Sequence, residues 1–502
     1  MRLIVKLPLF VTLMAVASLA MLVPAIHATF LDLHRTAQPF FYSALLFGVL
    51  TALIALATSN AKITNPGRSQ LVTLAAGFLA LPAMLAVPMW EAAQGLSYFE
   101  AYFEMVSAFT TTGASVIDPP SRVVSPIHLW RALVGWIGGF FMLLAAAAIL
   151  APMTLGGFEV LKPINTSSTA EGLIRRGDPN QRVYKVMAQL LPVYLGVTGV
   201  LWVLLVMAQA TPFLALNLAM STIATSGITP SGGLNPWQVR IYAEIVIFIF
   251  LFMAVSRQTF TNETGLPIWK RLEQDRELRI ALIFVTLLPA ALFLRHWLGA
   301  FEGQGQDDIY KALRAFWGAL FTVLSFLTTT GFASHDWEAA RAWSGLPTPG
   351  LLLAGLAIIG GGVATTAGGI KLLRVYALYK HSTREMGRLV HPNSVGGAGK
   401  LGRSIRREGA QIAWVFFMLF AISVAAVIFL LSLTGLNFEA ASAFAISALS
   451  TTGPLADVAL EGEIMYSDLS HTAQAILIAA MVLGRLEALA VIALFNPDFW
   501  RT

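Results

Sequence analysis

The chain has 502 residues, of which 57% are hydrophobic and 12% charged, with a mean hydropathy of +0.71 and a formal net charge of +6. A soluble domain carries about twice that charged fraction, so long apolar runs with so few charges indicate an all-α, polytopic membrane protein. The absence of cysteine excludes disulfides, thiolate metal sites and cysteine nucleophiles, and the positive charge calls for no nucleic-acid partner because the basic residues cluster in a few loops.

Arg2 and Lys6 precede an apolar run to about Ile26. Spanning segments follow it, so the run reads as an uncleaved first helix rather than a signal peptide. Two helices are expected first, at about 8–28 and 39–58, joined by the polar turn at Asp32-Leu33-His34-Arg35. A short basic loop follows, with Lys62 and Arg68.

Four units of one plan come next: a spanning helix, a shorter apolar segment, a Ser/Thr-Gly stretch and a second spanning helix. Unit one has helices near 70–92 and 128–151 with a short segment at 99–110. Unit two has 184–208 and 237–256 around 212–224, and unit three has 279–298 and 349–380 around 311–328. Unit four has 410–434 and 470–495 around 438–450. The corresponding divisions are 1–69 for the leading pair, then 70–160, 161–260, 261–400 and 401–502. The short segments cannot cross a hydrocarbon core of about 30 Å as helices, so they are expected to enter and turn back. Irregular backbone at that depth is tolerated only where protein buries it or where it lines a watery cavity.

The stretch after each short segment is a repeat. It ends Thr110-Thr111-Thr112-Gly113, Ala224-Thr225-Ser226-Gly227, Thr328-Thr329-Thr330-Gly331 and Ser450-Thr451-Thr452-Gly453. Every copy has Ser six residues before the Gly (Ser107, Ser221, Ser325, Ser447), a large apolar residue four before and Thr two before. Self-similarity over long units is the signature of repeated architecture. A single copy would suit an ordinary small-residue packing face; four aligned copies, each after a segment too short to span, point instead to four re-entrant turns. Such turns present backbone carbonyls, which replace the hydration shell of a potassium ion without carboxylate side chains. Four turns in one chain are enough to close a pseudo-four-fold ring. The Ser and Thr hydroxyls are expected to tie each turn to its short helix, giving a ring four-fold in backbone and approximately so in side chains.

Lys and Arg set the orientation. Linkers hold Lys162, Arg175, Arg176, Arg182 and Lys185, then Arg257, Lys270, Arg271, Arg276 and Arg279, then nine basic residues from Lys371 to Arg407. Acids follow the repeated glycines, among them Asp118, Asp336, Glu338, Asp457, Glu461, Glu463 and Asp468. The linkers and both termini are therefore expected in the cytoplasm, with the turns opening outward. The acids would concentrate cations at the mouth.

Two further features stand out. Gly360-Gly361-Gly362-Val363-Ala364-Thr365-Thr366-Ala367-Gly368-Gly369-Ile370-Lys371 lies inside the second helix of unit three. Each Gly costs a helix about 0.8–1.0 kcal/mol relative to Ala, so the helix should break there, just inside the four turns, unless the glycines only form a packing patch. Arg485 falls within the last apolar helix, where an ionisable group is costly and a functional candidate. Glu104, Glu244 and Glu439 are read as braces that accept backbone N–H bonds, or as cation ligands. Lys371 is read as the first cytoplasmic charge after the glycines, or as part of that segment. The eight histidines show no metal-ligand spacing, and no nucleophile–base pair or phosphate loop is present, so no enzyme is indicated.

At these residues the chain resembles the TrkH/KtrB/HKT superfamily of potassium transporters, and its TrkH branch in particular. Phe103-Glu104 before Ser107 to Gly113, Trp136-Ile137-Gly138-Gly139, Gly484-Arg485-Leu486-Glu487 and Phe495-Asn496-Pro497-Asp498-Phe499-Trp500-Arg501 carry the resemblance, which covers about 70–502. It implies a selectivity filter at the four turns and a Gly-rich gate formed by Gly360, Gly361, Gly362, Ala364, Thr365, Thr366, Gly368, Gly369 and Lys371, with Arg485 facing the pore or paired to the broken helix. The family pattern is usually Gly-Ser-Thr where this chain has Ala364-Thr365-Thr366. In plant members Ser at the first filter position accompanies sodium selectivity, so Gly113 implies potassium. The resemblance further implies K+ uptake at the bacterial inner membrane, a homodimer and a cytoplasmic nucleotide-binding subunit of the TrkA/KtrA type, with no cofactor beyond K+. The basic linker at 371–407 is a candidate contact for that subunit. Coupling to Na+ or H+ stays open, as does a sodium-permeable transporter. An alternating-access carrier is the competing class, but two spanning helices per unit keep every repeat in one orientation.

Overall fold

The computed structural model describes residues 8–58, 66–152, 179–256 except 236 and 238, 275–299, 309–390 except 347, and 407–486. The linkers around 162–176, 257–271 and 400–406, and the matching strings from Glu487 onward, lie outside the described residues. Every regular element among the described residues is helical.

α1 (Leu9–Ala20) and α2 (Leu22–Phe30) together make the first apolar span, and α3 (His34–Thr58) returns against both. Unit one follows as α4 (Pro66–Ala92), α5 (Tyr98–Phe109) and α6 (Ser125–Ala145), the last running on into a π turn at Ala146–Leu150. Unit two is α7 (Pro179–Met207), α8 (Pro212–Ala224) and α9 (Ile241–Leu251). Unit three is α10 (Arg276–Gly299), α11 (Ile309–Leu327), α12 (Trp337–Ser344), α13 (Pro349–Ile359) and α14 (Leu372–Val390). Unit four is α15 (Arg407–Leu433), α16 (Phe438–Leu449), α17 (Pro454–Ala459) and α18 (His471–Leu486).

Seven helices among the described residues are long and apolar enough to cross a membrane, or eight if α12 and α13, bent by 116°, are counted as one broken span. The sequence suggested ten. The shortfall lies in the second helices: Ile241–Ala254 and His471–Leu486 are shorter within the described residues, and the one in unit three is interrupted. Exposed Leu45, Leu46, Val49, Leu53 and Leu56 on α3 form a lipid-type surface, since an apolar face carries no penalty in hydrocarbon.

The short helices start where the sequence supplies caps. Ser97 caps α5, its Oγ accepting from Glu100 N at 3.2 Å while Glu100 Oε2 accepts from Ser97 N at 2.7 Å. Asn437 Oδ1 accepts from Ala440 N at 2.8 Å at the head of α16. Pro212 opens α8, where its missing N–H is not needed. The helices have 12, 13, 19 and 12 residues, so α11 runs longer than the sequence suggested. Even its length, roughly 28 Å at 1.5 Å per residue, falls short of the hydrocarbon thickness.

Packing between units closes a circle. The second helix of each unit lies on the short helix of the next: α6 on α8, α9 on α11, α13 on α16, and α18 back on α5. This relay, four re-entrant units in pseudo-four-fold order behind a leading pair, gathers the C-terminal ends of the four short helices around one axis. Small residues permit the approach: a Cβ added at Gly138 would stand 2.0 Å from the Phe109 carbonyl, and one at Gly484 would stand 2.2 Å from that of Leu449. Each glycine thus seats a spanning helix on the end of its own unit's short helix.

Candidate ion pathway

Each short helix ends in the same turn. The Thr two before the glycine adopts a left-handed conformation in every copy: φ is 56° at Thr111, 52° at Thr225, 58° at Thr329 and 55° at Thr451. A β-branched residue there is a genuine outlier, held at a cost of order 1–3 kcal/mol, and such strain clusters at functional sites. The bond that fixes the turn comes from the repeated serine. Its backbone carbonyl accepts from the residue before the glycine: Thr112 N to Ser107 O at 2.8 Å, Ser226 N to Ser221 O at 2.9 Å, Thr330 N to Ser325 O at 2.9 Å and Thr452 N to Ser447 O at 2.8 Å.

The expected role of the serine hydroxyl is met unevenly. Ser107 Oγ donates to Ala114 O at 2.6 Å, and Ser226 Oγ donates to Ser221 Oγ at 3.1 Å. Ser325 Oγ is buried with no hydrogen-bond partner among the described residues. Hydroxyl pairs join Thr110 to Thr112 (2.8 Å), Thr328 to Thr330 (3.1 Å) and Ser450 to Thr452 (3.1 Å); Ala224 removes the pair from turn two.

The four turns touch in sequence. A Cβ on Gly113 would fall 2.0 Å from Ser226 O, and one on Gly227 2.3 Å from Thr330 O. One on Gly331 would fall 3.0 Å from the Pro454 ring, and one on Gly453 2.5 Å from Gly113 C. A hydrogen bond from Gly453 N to Thr112 O, at 2.6 Å, joins the fourth turn to the first. The ring is therefore closed, and its sixteen residues are Thr, Ser, Ala and Gly with no charged side chain. Four helix C-termini point at it, each carrying roughly half a negative charge. The chemistry on offer is a cage of carbonyls and hydroxyls in a negative potential, which suits a dehydrated monovalent cation.

Four-fold symmetry of the backbone does not hold throughout. Gly113, Gly227 and Gly331 have φ of 78°, 65° and 83°, whereas Gly453 has φ −48° and ψ −49°. Pro454 begins α17 immediately after the glycine.

The limbs leaving the turns are braced differently in each unit. Glu104 Oε1 accepts from Ser115 Oγ (2.7 Å), Val116 N (2.7 Å) and Ile117 N (3.3 Å), and its Oε2 is paired with Arg131 Nε at 2.8 Å. Glu244, from α9, crosses to unit three and accepts from Trp317 Nε1 (3.1 Å), Ser334 Oγ (2.8 Å) and His335 N (2.9 Å). Both are buried braces. Glu439 does not share their role: it is exposed in the first turn of α16. On the limb of turn four, Asp457 still opens to water, yet protein crowds it; burial and then the Asp118 carboxylate raise its pKa to about 7.

The helix of unit three breaks at the glycines. α13 ends at Ile359, Gly360 turns with φ 73°, and α14 begins at Leu372. Between them Ala364, Gly369 and Lys371 also have positive φ. The segment doubles back on itself, with Ile370 N bonded to Ile358 O (2.9 Å), Lys371 N to Ile359 O (2.9 Å) and Leu372 N to Gly361 O (3.0 Å). It lies against the threonine end of the ring. Gly368 N donates to Thr329 Oγ1 at 2.7 Å, Thr366 Oγ1 donates to Ile223 O at 3.2 Å, and a Cβ on Gly368 would fall 2.1 Å from Ser450 O. Thr365 Oγ1 donates internally to Gly362 O at 2.8 Å. Gly361 and Gly362 lie against the carbonyls of Ala254 and Val255.

Three charged side chains hold this segment. Arg485 Nη1 donates to Thr366 O at 2.7 Å from the end of described α18. Glu277 Oε1 accepts from Val363 N at 2.8 Å. Lys371 Nζ donates to the Ala367 carbonyl, and the residue is buried. Lys371 is thus buried within the segment itself. Arg485 is paired to the broken helix.

Among known proteins, a family model described as "Cation transport protein" (TrkH) matches residues 277–501. The Trk system potassium uptake protein TrkH of Vibrio parahaemolyticus is 30% identical over 418 residues, covering 81% of this chain and 80% of the relative. The chain belongs to the TrkH family. The TrkH of Halomonas elongata is 29% identical over 431 residues, covering 84% of this chain and 83% of its own length. The potassium uptake protein TrkG of Escherichia coli is 26% identical over 499 residues, covering 97% and 96%. The crystal structure of the potassium transporter TrkH from Vibrio parahaemolyticus superposes with a TM-score of 0.81 at 26% identity, covering all of both chains. As a TrkH-family chain, this one is a multi-pass membrane protein of a transport family.

Two residues at the pathway escape a reading of the sequence. Glu277 stands at a helix start, where an acid is ordinary dipole compensation. Tyr466 opens a three-residue 3-10 turn thirteen residues beyond Gly453, with no periodicity to flag it.

Proposed function

We propose that this chain takes up potassium across the bacterial inner membrane by conducting the ion through the ring of four turns, down its electrochemical gradient. The observation that carries this reading is the closed succession of contacts among the turns of Gly113, Gly227, Gly331 and Gly453, with four short-helix C-termini aimed at it. The relatives named for potassium uptake support the choice of ion. A membrane potential supplies about 2.3 kcal/mol per charge per 100 mV, roughly a fifty-fold accumulation at 1.4 kcal/mol per decade, so no ATP hydrolysis is required of this chain.

The segment from Gly360 to Lys371 acts as the gate. It stands on the threonine side of the ring, and its hydrogen bonds to Thr329, Glu277 and Arg485 keep it there. Arg485 adds a positive charge that opposes cation passage. The protein works as a homodimer with the linkers inside, and a cytoplasmic nucleotide-binding subunit of the TrkA/KtrA type regulates it. Units bounded near 70–160, 161–260, 261–400 and 401–502 each supply one turn.

The experiment is growth of a potassium-uptake-deficient host on low potassium, expressing this chain with its cognate cytoplasmic subunit. Rescue is expected. Failure to rescue, together with transport of a different solute by the same membranes, would contradict the reading.

A further inference from the structure

Turn four differs from its three counterparts at its glycine, and a tyrosine outside the repeat bonds to it there. Gly453 lies in the right-handed helical region, although the residue before a proline is pushed away from that region by the proline ring. Something has to hold it there. Its N–H is taken by Thr112 O at 2.6 Å. Its carbonyl accepts from Tyr466 OH at 3.0 Å and from Ser447 Oγ at 3.0 Å, and the two hydroxyls stand 2.6 Å apart. Ser447 Oγ also reaches Thr452 O at 3.0 Å. One of the two hydroxyl protons lies between the oxygens; with Ser447 Oγ donating to Tyr466 OH, the tyrosine proton serves the Gly453 carbonyl.

Tyr466 is built as a fixed post. It is 1% exposed. Its ring packs against Phe444 of α16 at 4.9 Å and Phe103 of α5 at 6.0 Å, and Gln474 Nε2 donates to its carbonyl at 3.2 Å. Among the described residues no side chain donates to the carbonyl of Gly113, Gly227 or Gly331 in this way.

We propose that Tyr466 is a selectivity-determining, positioning residue: its hydroxyl holds the Gly453 carbonyl off the ion path, leaving three glycine carbonyls rather than four to coordinate the cation at that level. This rests on the reading of the four turns as a filter. The number and field of coordinating carbonyls set the preference between K+ and Na+, and a ring short of one carbonyl favours the smaller ion more than a complete ring does. Tyr466 thus limits the K+ preference of this chain.

The test is the K+/Na+ flux ratio of Tyr466→Phe in proteoliposomes holding the full chain. Phenylalanine keeps the packing against Phe103 and Phe444 and removes only the hydroxyl. The ratio should rise roughly fivefold, the factor for about 1 kcal/mol, the worth of one neutral hydrogen bond. Phe103→Leu, which loosens the same packing without touching the hydroxyl, should lower thermal stability and leave the ratio alone. An unchanged or lowered ratio in Tyr466→Phe, with Gly113→Ser altering the ratio in parallel, overturns this inference alone. An unchanged ratio in both variants overturns the filter reading with it.

Discussion

Gly113→Ser is expected to lower the K+/Na+ flux ratio about tenfold. Two effects add. The glycine has φ 78°, where an L-residue costs roughly 1–2 kcal/mol. Its new Cβ would also stand 2.0 Å from the Ser226 carbonyl, backbone that cannot swing aside as a side chain would. Turn two must move or turn one must change conformation, and either opens the ring. A change of about 1.4 kcal/mol in the difference between the two ions as the ring opens is a factor of ten. Ion flux in proteoliposomes, with both ions measured in the same preparation, reads the ratio. An unchanged ratio in a folded variant would mean that Gly113 does not line the path.

Deleting Val363–Ala367 should raise flux in the absence of the cytoplasmic subunit, on the order of a hundredfold. The segment is held by a neutral hydrogen bond from Gly368 to Thr329 and by two charge-assisted bonds, Glu277 to Val363 and Arg485 to Thr366. The two charge-assisted bonds, whose partners Val363 and Thr366 the deletion removes, contribute about 1.5–3 kcal/mol each, and their loss in sum exceeds two decades of equilibrium. The deletion can be closed without dragging the helices. Gly361 and Ala367 already face each other, a Cβ on Gly360 would stand 2.8 Å from Gly369 Cα, and the stem bonds from Ile370, Lys371 and Leu372 remain. Thr329→Val, which removes one clasp, should move flux the same way by about fivefold. Unchanged flux that still responds to the cytoplasmic subunit would remove the segment from the gate.

The parts of this architecture that depend on local chain were legible in the sequence. Four serine-to-glycine spacings, short segments unable to span and a glycine run inside an apolar helix each impose their consequence within a dozen residues. What escaped depends on contacts between distant segments. Glu104 could be guessed as a brace because its partners lie on the limb of its own unit. Glu244 reaches Ser334 and His335 some 90 residues away in the next unit, and no periodicity announces that. Lys371 stands where the glycine run ends and reads as a boundary charge or as part of the segment; its burial follows from the segment folding back so that its ammonium meets the Ala367 carbonyl. Glu439 stands fourteen residues before Gly453, where Glu104 stands nine before Gly113, so it falls in the first turn of its short helix and is exposed. The equality of the four glycines failed at Gly453, although Pro454 was in view, and a hydroxyl from Tyr466, outside the repeat, bonds to its carbonyl there.

The claim at the centre of this account is that the four turns hold the transported ion. Anomalous diffraction from crystals grown with Rb+ in place of K+ tests it most directly. The expected result is density on the axis of the ring formed by the turns of Gly113, Gly227, Gly331 and Gly453, abolished by Gly113→Ser. Anomalous density confined to other parts of the molecule, with the ring vacant at saturating Rb+, would contradict it.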